Sequence, residues 1–242
     1  MSEADLIVFS DRTSDSRLVE RIWRSHSTRS GRFVSVAHSH CGIVFTRCNG
    51  DVRVTLRGPE TKPTPADCPA DGEWMGITFA LGTYFPHYPA ATLRDRRDAD
   101  LPIASPRAFW LLGSAWEFPT FENAETFVAR LVKAGVIARD PAVSAALGGE
   151  WKELSRRSAQ RHFLQATGVT QRTHLQIERA RDAARRLRDG ASIPEAVGEG
   201  GFFDQAHLTR SMRRWIGETP AQLQRQERQM SLLYKTEASR GA

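Results

Sequence analysis

The run Gly201-Phe202-Phe203-Asp204-Gln205-Ala206-His207-Leu208-Thr209-Arg210-Ser211-Met212-Arg213-Arg214-Trp215-Ile216-Gly217-Glu218-Thr219-Pro220 decides how the C-terminal part of the chain is read. Leu208, Met212 and Trp215 recur at i, i+4 and i+7, one apolar face of a helix spanning 204–216. Asp204 is placed to cap its first turn, and Gly217 ends it. The other face carries Gln205, His207, Arg210, Ser211 and Arg214, all able to hydrogen-bond. Thr219-Pro220 then opens a further helix.

Upstream, the helical period persists. Ser192-Ile193-Pro194-Glu195 has the spacing of a capping box and starts a short helix closed by Gly200-Gly201. Residues 170–189 form a long helix with Ile177, Ala180, Ala184 and Leu187 on its inner stripe and Gly190 as its stop. Ser155 caps residues 156–166, which show Arg156, Arg157, Gln160 and Arg161 outward and Phe163 inward, with Gly168 beyond the end. Asp140-Pro141 starts a short helix with Val143, Ala146 and Leu147 as its apolar residues. Ala124, Phe127, Val128, Leu131 and Val132 mark a helix between Asn123 and Gly135.

A short helix, a turn and a longer Arg-bearing helix thus occur twice, joined by the connector 170–189. That is the order of two helix-turn-helix units, in which the second helix of each lies in a major groove. Arginine suits guanine edges and phosphates, and glutamine suits adenine. Charge agrees. The 242 residues carry a net +6, with 17 basic and 18 acidic residues in 1–150 but 17 basic and 10 acidic in 151–242. The whole positive excess lies in the C-terminal part, and 15 of its 17 basic residues are Arg, which points to a polyanionic partner.

The residues specify this further. Leu154 to Phe163 with Gly168, Gly201 to Arg210, and Trp215-Ile216-Gly217-Glu218-Thr219-Pro220 resemble the DNA-binding domain of the AraC/XylS family of transcriptional regulators. The resemblance implies base contacts from Arg157, Gln160 and Arg161 in the first unit and from Gln205, His207 and Arg210 in the second. Three features depart from the family pattern: Ala159 in place of the usual Leu, Met212 in place of Phe, and a longer turn over 148–154.

Residues 18–116 read as strands. Phe33 to Ala37 alternates, and Gly42 to Thr46 is a short apolar run. Asn49-Gly50 is a hairpin turn before Val52, Val54 and Leu56 at period two. Residues 58–72 hold four of the twelve prolines and read as a loop. Trp74 to Ala80 and Phe109 to Leu112 are further strands, and Phe85 to Pro89 is a turn. Short strands at this spacing predict an antiparallel barrel or a sandwich of the jelly-roll kind. Arg57-Gly58-Pro59-Glu60, Asp71-Gly72-Glu73-Trp74 and Gly113-Ser114-Ala115-Trp116-Glu117 are similar to the cupin-like sensor portion of one branch of the same family.

The expected fold is therefore α+β: a cupin-like antiparallel β barrel over 1–119, an all-α DNA-binding domain with two helix-turn-helix units over 120–230, and a polar tail over 231–242. The expected partners are double-stranded DNA and a small-molecule effector held by His38, His40, Phe45, Trp74, Phe79, His87 and Trp116. Dimerisation through the barrel would give a homodimer. A metal-dependent cupin enzyme with a helical appendage is the alternative. His38-Ser39-His40 places two imidazoles on one strand face, but no Glu follows within Cys41 to Thr46, so neither metal nor other cofactor is expected. No paired acids, phosphate loop or four-Cys site accompanies them, and no enzymatic activity is expected. Three Cys without C-x-x-C spacing fit a reducing cytoplasm, and no apolar run has the length of a membrane span.

Overall fold

Alternation along the strands builds the N-terminal half. The computed structural model describes residues 6–95, 98–148 and 155–225. The strands are β1 (Ile7–Arg12), β2 (Val19–Ser27), β3 (Gly31–Ser35), β4 (Gly42–Cys48), β5 (Asp51–Arg57), β6 (Thr64–Cys68), β7 (Glu73–Phe79), β8 (Thr83–Tyr84), β9 (Ala99–Leu101), β10 (Ile103–Ser105), β11 (Ala108–Leu111) and β12 (Ser114–Glu117). Helix α1 (Ala124–Lys133) and strand β13 (Ala138–Arg139) follow. The helical part then comprises α2 (Pro141–Gly148), α3 (Arg156–Thr167), α4 (Gln171–Arg188), α5 (Ile193–Glu199), α6 (Gln205–Trp215) and α7 (Pro220–Gln224).

Six strands pair in the order β1-β2-β7-β4-β5-β9, all antiparallel, while β10-β11-β12, β3-β6 and β8-β13 form smaller sheets. The six-stranded sheet is open, not closed into a barrel, among the described residues. The β4–β5 hairpin is the one the sequence predicts. Asn49 and Gly50 both take positive φ, 52° and 82°, which is what a two-residue turn matching the strand twist requires.

One face of this sheet is dry. Ile22, Ile43, Phe45, Val54, Leu56, Ile77 and Phe79 pack there with Phe109, Leu111 and Trp116. The Phe45 ring meets Phe109, Phe118 and Phe127 edge-on at 5.8, 6.1 and 6.1 Å. Such pairs add about 0.5–1.5 kcal/mol each beyond area burial. Helix α1 closes this core with Phe127, Val128 and Leu131. The boundary expected at 119/120 therefore separates α1 from the core it completes. Its 3.6 period shows that it buries a stripe but not which layer covers it. The proline-bearing loop also differs from expectation: Thr64–Cys68 pairs with Gly31–Ser35 as β6, since an outlying two-stranded sheet tolerates Pro65.

Both helix-turn-helix units dock on the strands. Val143, Ala146, Phe163 and Ala166 pack together with Leu81 and Tyr84, and β13 pairs with β8. Val34, Val36 and Ala37 join Ile177, Leu208, Met212 and Trp215 in the core of the second unit. Gly168, at φ +71°, ends α3 where a Cβ would stand 2.8 Å from the backbone carbon of Ala90. Gly168→Ala is expected to destabilise by about 1–2 kcal/mol from the left-handed conformation alone. An unchanged urea midpoint would show that this junction relaxes freely.

Candidate nucleic-acid interface

Local caps set the helices that carry the outward side chains. Ser155 Oγ accepts the Ser158 N–H, Thr170 the Thr173 N–H and Asp204 the His207 N–H. Ser192 and Thr219 each complete a capping box, with Glu195 and Gln222. Each such cap is worth about 1 kcal/mol. Asp140 holds α2 to α3, because its carboxylate meets His162 Nδ1 at 2.8 Å while accepting the Ala142 N–H at 2.9 Å.

With those ends fixed, Ala159, Phe163, Leu208, Met212 and Trp215 are buried, and Arg156, Arg157, Gln160, Arg161, Gln205, Arg210 and Arg214 are exposed. Ala159 and Met212, the two departures from the family pattern, both fill core positions. The unusual turn falls largely on 149–154, outside the described residues, as does the polar tail.

Arg156, Arg157, Gln160 and Arg161 of α3 share one groove of about 1270 Å³ with His207 and Ser211 of α6. The sequence reading missed the side chains between them: Arg172, Leu175, Gln176 and Arg179 of α4 line the same groove. They recur at i, i+3, i+4 and i+7, opposite the buried Ile177, Ala180 and Ala184, so helical period alone could have found them. Arg179 lies over the Phe202 ring at 6.0 Å, and Arg214 over the Trp215 ring at 4.5 Å, so both guanidiniums are held without being neutralised. His207 Nδ1 accepts the Phe203 N–H at 3.3 Å. Its proton then sits on Nε2, which makes the ring a donor toward a phosphate or a guanine acceptor.

A second concavity lies on the other face of the six-stranded sheet, roofed by β3 and β6. It measures about 490 Å³, and His38, His40 and Trp74 line it together with Arg181 of α4. The other residues expected there lie elsewhere. Phe79 and Trp116 belong to the dry core, and Phe45 also borders a separate hollow of about 630 Å³. His87 is exposed in the Phe85–Tyr88 turn. Strand parity is the reason: Phe45 and Phe79 are on the face opposite the cavity. Among the described residues no group of three or more His, Cys, Asp or Glu could hold a metal ion.

Beside this cavity α4 and α6 are each tied to the strand part. Ser39 Oγ and His174 Nδ1 of α4 are 2.6 Å apart, and the Ala37 N–H donates to the carbonyl of Trp215 in α6 at 2.9 Å, while within the strand part His40 Nδ1 is 2.7 Å from Glu20. Burial pushes His174 below the usual histidine range; Glu178 and Glu20 oppose the shift, while His40 and Arg181 add to it. Burial likewise pushes His38 well below that range, helped by Arg57 and Arg181. Both rings fold neutral and gain protons more readily when unfolded. Stability from them is full above the unfolded value of about 6.5 and declines as pH falls through it toward the depressed folded values. The melting temperature should therefore drop between about pH 7.5 and 5.5, and His174→Gln should shrink the drop. An identical pH profile in that variant would remove His174 from the explanation.

Comparison with known proteins agrees with the C-terminal geometry. A helix-turn-helix domain family matches residues 153–226, which takes in α3 to α7 and leaves α2 outside. No curated protein sequence matches the chain. Among solved structures, ToxT from Vibrio cholerae aligns with 10% identity over 89% of this chain and 97% of that chain, at a TM-score of 0.41. No helix among the described residues is long and apolar enough to cross a membrane. Over residues 153–226 the chain carries a DNA-binding helix-turn-helix domain of the AraC type.

Proposed function

We propose that the protein is a sequence-specific transcriptional regulator that reads duplex DNA with α3 and α6 and answers to a small molecule bound against its N-terminal sheet. The observation that carries this reading is the shared groove, where outward residues of α3, α4 and α6 face the same space. Helix α4, 18 residues and about 27 Å long, spaces the two reading helices so that each could enter a major groove about one turn apart. Arg157, Gln160 and Arg161, with Gln205, His207 and Arg210, supply the base contacts, while Arg156, Ser211 and Arg214 lie at the phosphates.

Selection from a random duplex library with the full chain tests this. A bipartite consensus is the expected result. Arg210→Ala should then weaken the selected site by about 1–3 kcal/mol and relax base preference at one position. Retention of full affinity and preference would place α6 away from the bases. Sedimentation with and without the selected duplex determines whether a homodimer binds.

A further inference from the structure

Phe203 is the most exposed large apolar side chain among the described residues, at 92%, and it stands at the tip of a reading helix. It directly precedes Asp204, the cap of α6. An apolar residue in that place ordinarily packs against the fourth residue of the helix. Here the fourth residue, Leu208, is fully buried in the core of the second unit, and Phe202 is buried in the same core. At 92% exposure Phe203 makes no such contact. Local folding therefore gives no reason for a phenylalanine at this position.

The main chain that carries the ring is held in place. The Phe203 N–H donates to His207 Nδ1 at 3.3 Å, and the Asp204 carboxylate accepts the His207 N–H at 2.6 Å. His207 in turn meets the buried Phe202 ring edge-on at 5.4 Å and 80°. Since His207 also lines the groove shared by α3, α4 and α6, Phe203 stands beside that groove. Ala206, three residues on, is exposed as well, and so are Gln205 and Arg210. The tip of α6 thus offers an apolar surface set among hydrogen-bonding side chains. Thymine presents the matching combination in the major groove, a methyl group beside an O4 acceptor.

We propose that Phe203 is a specificity-determining residue whose ring lies on the C5-methyl group of a thymine in the major groove entered by α6. The N-terminal end of a reading helix is the part that meets base edges. Among the four DNA bases thymine alone carries a methyl group there, and a phenylalanine reads it by apolar contact. The proposal rests on the regulator reading and adds an apolar element to the polar contacts of Gln205, His207 and Arg210. Hydrogen bonds from those residues do not sense the methyl group, and the ring does. Phe203 is then buried only when the duplex is bound, which accounts for its exposure in the free protein.

Titration of the full chain with its selected duplex tests this, each thymine being replaced in turn by deoxyuridine. The replacement removes the methyl group and keeps every hydrogen-bonding group. The half of the site read by α6 is the half whose base preference relaxes in Arg210→Ala. At one thymine of that half the wild-type Kd should rise about fourfold, the worth of one buried methyl group. Phe203→Ala should weaken the unmodified duplex by about fourfold or more and become indifferent to that replacement, and Phe203→Leu should keep part of the discrimination. The DNA-free melting temperature of Phe203→Ala should match the wild type, which separates lost reading from lost folding. A wild-type Kd unchanged by deoxyuridine throughout that half, or a half without thymine, overturns the proposal. A penalty that persists in full in Phe203→Ala overturns it too. Wild-type affinity of Phe203→Ala for every duplex does the same and leaves the ring to a protein partner. Absence of any consensus sinks the regulator reading itself, whereas a clear consensus without methyl dependence sinks only the role of Phe203.

Discussion

Binding of the full chain to its selected duplex is expected to weaken about 10³-fold or more between about 50 and 200 mM salt. The magnitude follows from how many guanidiniums face the groove. Arg156, Arg157, Arg161, Arg172 and Arg179 line it, and Arg210, Arg213 and Arg214 are exposed on α6. Arg156, Arg172, Arg179, Arg213 and Arg214 neutralising phosphates, with the base-reading Arg157, Arg161 and Arg210 displacing further counterions from the same duplex, would give that slope. Exposed ion pairs within the protein do not cancel the effect, because the pairs on α4, Arg185 with Asp182 and Arg186 with Glu199, lie outside the groove. Arg172→Ala should lower the slope by about one phosphate contact and weaken all duplexes alike, unlike Arg210→Ala. A flat affinity across this salt range would mean that the groove does not face the phosphate backbone.

Trp215→Ala is expected to destabilise the protein by about 3–5 kcal/mol, the largest stability effect of any substitution considered. The indole is 3% exposed in the core formed by α4, α6 and β3, and its main-chain carbonyl accepts the Ala37 N–H. Removing the ring opens a cavity at the place where the second unit meets the strands. Phe203, next to the Asp204 cap of α6 and 92% exposed, provides the contrast. Phe203→Ala should change stability by less than about 0.5 kcal/mol. Urea unfolding of both variants measures the difference, and equal midpoints would contradict the packing described.

The helical part was legible because its signals are local. Ser155, Thr170, Ser192, Asp204 and Thr219 each cap the helix that follows them, and a cap needs only three or four neighbouring residues to be recognised. The inward and outward faces of α3 and α6 follow from period alone. The β4–β5 hairpin was legible for the same reason, through Asn49-Gly50. Strand order was not. β7 sits between β2 and β4, a pairing across some fifty residues on one side that no local pattern encodes. Strand β1, Ile7–Arg12, lies before the stretch read as strands, although Leu6 to Phe9 is a short apolar run, and it is a member of the main sheet.

The candidate ligand site was half legible. His38, His40 and Trp74 fall in one cavity, whereas Phe45 and Phe79 have the opposite strand parity and His87 lies on an exposed turn. Arg181 was hidden most completely. It stands in a charged run of α4, where an arginine ordinarily faces water, and only the strands packed over it make it buried.

A hydroxyl-radical footprint of the full chain on its selected duplex addresses the double-reading geometry most directly. Two protected segments centred about 10 base pairs apart, with the segment nearer α6 lost in Arg210→Ala and the other kept, are the expected pattern. A single protected segment unaffected by either Arg157→Ala or Arg210→Ala would contradict the assignment of α3 and α6 as paired readers.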